Sequence, residues 1–163
     1  MFALHIGLAV STAAMNKRAR GRDYFMKETK QGIFILPNGG AASWMMVTGL
    51  IVLFFLVVHI IDMKLKVGPG VDYTPAMNAE KVVDNEFLAV RAVLSTPSRA
   101  FIYIVGLVAL GIHLSHGIRS ACQTLGINHK RWNKILSCVG LISAWMIAAG
   151  FISLVVWALG GKF

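Results

Sequence analysis

Four histidines lie inside apolar runs: His5, His59, His113 and His116. His113 sits near the middle of Ala100–Ile118 (AFIYIVGLVALGIHLSHGI), a run long enough to cross a membrane. A neutral imidazole there is costly to desolvate unless something takes its lone pair. Haem iron is one such partner, because axial ligation uses the neutral ring nitrogen. Histidines in three separate apolar segments point to b-type haem ligation within a bilayer.

Composition agrees with a membrane setting. Of 163 residues, 56% are hydrophobic and only 14% charged, and soluble domains run at about 25% charged. The net charge of +9 would suit nucleic acid, but so apolar a chain excludes that partner. Bases beside spans instead set orientation and meet lipid headgroups. Cys122 and Cys138 have no metal-like spacing and read as small apolar fillers. The start lacks the basic n-region of a cleavable signal peptide.

Four apolar segments must position the histidines: Phe2–Met15, Ala41–Ile61, Ala100–Ala121 and Ile135–Leu159. The last three are long enough to span a ~30 Å hydrocarbon core, whereas the first reaches only about 21 Å. The expected fold is all-α: an integral membrane helix bundle, one domain over 1–163, with three full spans and an N-terminal partial span. Between the first two segments (16–40), Lys17, Arg18, Arg20, Arg22, Lys27 and Lys30 outnumber Asp23 and Glu28. Between the last two (122–134), Lys130, Arg131 and Lys134 face no acid. Bases and acids balance over 62–99. The positive-inside rule places 16–40 and 122–134 on the inner side and 62–99 outside. The outer segment holds Pro69, Gly70 and Pro75, then a candidate interfacial helix over 79–93.

This topology gives the histidines depths. His5 lies 11 residues before Asn16 and His113 lies 13 before Gly126; Asn16 and Gly126 mark the inner ends of segments running the same way, so the two histidines sit at similar depth. His59 falls just before Asp62 and Lys64, near the outer end. One inner pair and one outer single is the pattern of a two-haem stack with one ligand absent. Gly106, His116, Gly117, Ser120 and Thr124 share the helical stripe of His113. The glycines would let a flat macrocycle or another helix approach, and Ser120 and Thr124 could donate to haem propionates. Plainer roles stand beside these. The glycines serve helix packing, the hydroxyls bond back to their own helix, and the histidine bonds a neighbouring helix. His116 suits a propionate, a quinone or water, and a one-turn shift would make it the ligand. His129 reads as solvated, Phe54, Phe55 and the methionines as packing or lipid-facing, and Trp44 and Trp157 as an interfacial belt.

The run His113-Leu-Ser-His-Gly-Ile-Arg-Ser-Ala-Cys-Gln-Thr-Leu-Gly126 resembles the haem-ligand helix of the cytochrome b membrane-anchor subunit of succinate:quinone oxidoreductases (succinate dehydrogenase and fumarate reductase, complex II). Asn16-Lys-Arg-Ala-Arg20 with Tyr24 resembles the end of that family's second helix. Ser43-Trp-Met-Met-Val-Thr-Gly49, leading to Phe54, Phe55 and His59, resembles the next ligand-bearing helix, and Ala149-Gly150-Phe151 the last. The resemblance favours His113 over His116 as the axial ligand.

The resemblance implies a five-helix, two-haem anchor in the cytoplasmic (inner) membrane of a bacterium. Flavoprotein and iron–sulfur subunits would oxidise succinate, and the anchor would pass electrons to a quinone, most naturally menaquinone. His5 and His113 would ligate the inner haem b, and His59 the outer one. Against that pattern the family's first helix, with its histidine, and part of the second are absent. A later-than-true start, a separate small membrane subunit, or loss of the outer haem would each account for this. A helix beginning within hydrocarbon would strand its first N–H groups, which favours the first two. The alternatives in function are a cytochrome b anchor of another respiratory enzyme, such as a formate dehydrogenase or hydrogenase, and a haem-free structural membrane subunit.

Overall fold

The computed structural model describes residues 2–19, 44–67, 86–127, 129 and 131–160. Among them every regular element is helical. We number the helices α1 (Phe2–Ala19), α2 (Met45–His59, running on through a π-helical turn at Ile60–Lys64), α3 (Glu86–Ser95), α4 (Pro97–Thr124) and α5 (Asn133–Gly160). Residues 1–46 and 47–163 form two compact units, and each is described by itself.

Among the described residues three helices are long and apolar enough to cross a membrane: Met45–Lys64, Pro97–Thr124 and Asn133–Gly160. At 1.5 Å per residue they reach about 30, 42 and 42 Å. The two longer ones exceed a ~30 Å core, so they tilt or project beyond it. Their outward faces carry large apolar side chains such as Phe54, Phe101, Met146 and Leu154. In water that surface would be a liability; against acyl chains it is the expected solvent-facing side. The protein is a helical membrane protein.

The ends of α4 have local causes. Pro97 occupies the first turn, where its missing N–H costs nothing, and it pushes Thr96 into an extended conformation (φ −75°, ψ 117°) that separates α3 from α4. At the other end Gly126 adopts φ +83°. Ile127 N then donates to Cys122 O at 2.9 Å, closing the helix in the Schellman manner. Gly126, one of the residues carrying the family resemblance, therefore has a structural task here.

Among the described residues α4 and α5 form the most extensive helix–helix contact. A Cβ added at Gly111 would lie 3.3 Å from Ala148 Cβ, and one at Gly140 would lie 3.2 Å from Ile118 Cγ2, so small residues let the two backbones approach. α3 packs on both helices and on the π-helical turn, burying Val93 and Leu94. Where a helix is expected over 79–93, one is observed at Glu86–Ser95; residues 79–85 lie outside the described residues. α1 is an 18-residue helix that buries none of its residues.

α2 runs antiparallel to α4 and meets it at three levels. Thr48 meets His113, Phe55 meets Gly106, and Asp62 meets Arg99. Seven residues along α2 match seven back along α4, the spacing of two turns that keeps one face on its partner. Each step is about 10.5 Å.

Candidate functional site

At the first level the His113 ring lies against two consecutive residues of α2. Its Nδ1 is 3.2 Å from Thr48 Oγ1. A Cβ on Gly49 would fall 3.3 Å from His113 Cε1 and 3.7 Å from Nδ1. Thr48 is buried and His113 half-buried. The imidazole therefore sits in mid-span with a hydroxyl on one nitrogen and bare glycine backbone beside the ring.

On the same stripe, Gly117 has open space where a Cβ would be, whereas the notch at Gly106 is filled by the Phe55 ring. Of the two close approaches expected from the sequence, one is thus made by a side chain of α2. The Thr124 hydroxyl donates to Ser120 O at 3.0 Å, so its proton is spent on its own helix. Ser120 is exposed and His116 half-buried.

At the C-terminal end of α2 His59 belongs to an aromatic cluster. Its ring centroid is 5.8 Å from that of Phe55 and 6.0 Å from that of Tyr103, and Phe55 meets Tyr103 edge-on at 5.2 Å. Tyr103 is buried, while His59 is exposed. Tyr103 precedes His113 by ten residues on α4, about 15 Å along the axis. His59 and His113 therefore stand at separate depths and cannot ligate one metal. His5 is exposed on α1, in the other compact unit.

One step beyond His59, Asp62 is wholly buried and lies 3.4 Å from Arg99, whose side chain is 20% exposed. By hydropathy both residues fall in the outer loop, and no carboxylate is expected within a span. The π-helical turn extends α2 past Ile61, and Arg99 falls in the first turn of α4, so the pair belongs to the helix interface. Such a turn inserts an extra residue per helical turn and re-aims the side chains beyond it.

Between α4 and α5, His129 contributes to the turn before α5. Its backbone N–H donates to Asn133 Oδ1, and its Nδ1 accepts from the Arg131 N–H, both at 3.2 Å. Lys17, Arg18, Arg131 and Lys134 are exposed; the basic residues over 20–30 and Lys130 lie outside the described residues.

An axial role suits His113 chemically. An iron-ligating imidazole uses one nitrogen for the metal, and its other N–H is normally held by an acceptor. A threonine hydroxyl can be that acceptor. Sequence reasoning missed Gly49, Tyr103 and the Asp62–Arg99 pair as partners. The seven-residue spacings 48/55/62 and 99/106/113 were the available signal.

Comparison with protein-family models, with curated proteins and with solved structures gives no match for the chain. The class defined by fold and interface is a multi-span helical membrane protein with an intramembrane histidine seated on a neighbouring helix.

Proposed function

We propose that the protein is a haem b membrane anchor of the succinate dehydrogenase type, carrying electrons between an iron–sulfur subunit and membrane quinone. The observation that supports this most is His113, half-buried in mid-span, with Nδ1 on a hydroxyl of another helix. With the proton on Nδ1, Nε2 carries the lone pair that an iron would need. A b-type haem would supply reversible one-electron chemistry. The chain's own part is to hold the ligand ring, fix its tautomer and keep water away.

The depth of His5 along its segment nominates it as the second ligand of an inner haem. His59, about 15 Å from the His113 level, would serve a separate outer haem, completed by a ligand from outside these residues. Menaquinone is the proposed quinone. A flavoprotein and an iron–sulfur subunit are the proposed soluble partners, docking at the basic segments Lys17–Lys30 and Lys130–Lys134. A small membrane subunit is proposed beside His59. The proposed location is the bacterial inner membrane, basic segments facing the cytoplasm.

A second reading has its own support. A Thr–His bond between helices is also an ordinary way to satisfy an intramembrane histidine in a haem-free structural subunit. A reduced-minus-oxidised spectrum of the purified complex separates the two. A b-type α-band that succinate can reduce is expected, and its absence would sink the haem proposal. His113→Ala should abolish the inner haem signal while His116→Ala keeps it; the reverse would move the ligand by one turn.

A further inference from the structure

We propose that Thr48 and Gly49 form a two-residue seat that sets the tautomer and ring plane of His113, and through them the redox potential of the iron it ligates. The proposal rests on the haem reading above and gives it a tuning residue.

Thr48 is buried, and its hydroxyl oxygen lies 3.2 Å from His113 Nδ1. A hydroxyl offers two pairings: it accepts from Nδ1–H, or it donates to bare Nδ1. The second puts the ring proton on Nε2 and denies that atom to a metal. Only the first leaves Nε2 as a ligand, so in the ligating state Nδ1–H donates to Thr48 Oγ1.

That donation makes the imidazole a stronger base, which favours the ferric over the ferrous state and lowers the potential. A neutral hydroxyl polarises the ring less than a carboxylate would. Gly49 supplies the orientation. Its missing side chain leaves room for the Cε1–Nδ1 edge of the ring, and a methyl there would press on Cε1 from 3.3 Å. One level further along the interface, Phe55 seated at Gly106 opposes sliding of α2, so the hydroxyl stays at the depth of His113.

The test uses the intact membrane complex, with redox titration of the b-type band and low-temperature electron paramagnetic resonance of the low-spin ferric signal. Thr48→Val should keep the band and titrate at a higher potential, while Thr48→Ser stays near wild type. Gly49→Ala should move the highest g-value, which reports the ligand ring planes. A haem lost in Thr48→Val but kept in Thr48→Ser also supports a hydroxyl seat. A Thr48→Val complex that titrates with wild type, or equal haem loss in the valine and serine variants, overturns it. If wild type has no b-type band, the functional reading falls and takes this proposal with it. A wild-type band with an unmoved valine variant overturns the seat alone.

Discussion

Gly106→Ala is the sharpest test of the α2–α4 interface. A methyl built at Gly106 lands on the Phe55 ring, 2.6 Å from Cδ2 and 2.7 Å from Cβ. Carbon atoms at rest need about 3.5 Å or more, so roughly 1 Å must be found. Phe55 cannot swing away freely, since Tyr103 meets its ring edge-on at 5.2 Å and His59 lies at 5.8 Å. Either the ring leaves its rotamer or α2 moves off α4. Overpacking of this kind costs about 1–3 kcal/mol. For a chain of this size each kcal/mol moves Tm by roughly 2–4 °C. The assay is thermal unfolding in detergent, run as a double-mutant cycle with Phe55→Ala. Emptying the ring site should absorb part of the added methyl, so the double variant should be more stable than additivity predicts, by about 0.5–3 kcal/mol. A Gly106→Ala protein that melts with wild type and shows no coupling to Phe55 would refute the interface. In the haem reading, the alanine should also disturb the haem signal indirectly, by lifting Thr48 off His113. If haem is lost and Phe55→Ala does not restore it, the notch belongs to the cofactor and not to Phe55.

The same geometry predicts two further outcomes. Asp62→Ala leaves Arg99 at the helix interface without its carboxylate and should cost about 3–5 kcal/mol, whereas Asp62→Asn with Arg99→Gln should recover most of it; equal losses in the single and double variants, measured by unfolding, would count against the pair. Lys134→Cys and Ser95→Cys in a cysteine-free background, both at exposed positions, should react with an impermeant maleimide from the inner and outer sides respectively, and the opposite labelling would invert the proposed topology.

The spans were legible because bilayer thickness converts directly into a count of apolar residues: Ala100–Ala121 and Ile135–Leu159 lie within observed helices, and Ala41–Ile61 overlaps Met45–Lys64 over 45–61, while 41–43 lie outside the described residues. The α4 boundaries were carried by residues with local backbone consequences, Pro97 and Gly126. The contacts that cross between helices were not legible. On sequence spacing Thr48 is a neighbour of His59 on one helix face, and it bonds His113 on another helix. Phe55 groups with packing or lipid-facing residues, and it does pack, but the sequence does not say that its partner is the Gly106 notch. Asp62 falls in the loop by hydropathy because hydropathy drops at a charge, and a π-helical turn leaves no mark there. Pairwise register depends on how two helices slide, and single-helix periodicity does not contain it.

The two readings of His113 differ in the demands they place on its ring. A structural histidine needs only polar contacts, and one of these is the Thr48 hydroxyl at 3.2 Å. An asparagine can make such a contact, so the structural reading tolerates His113→Asn, with loss limited to the altered packing. A ligand needs a lone pair on a ring nitrogen of fixed tautomer, which asparagine cannot supply. The interface can hold α2 to α4 without any ligand, through Phe55 at Gly106 and Asp62 at Arg99. Stability and cofactor retention should therefore separate in this variant. A folded His113→Asn protein that has lost its b-type band identifies a ligand, and one that keeps the band places the iron on another residue. The same logic applies to His59, about 15 Å away at the Tyr103 level. In the haem reading the two histidines cannot share an iron, so their variants should act on separate spectral components.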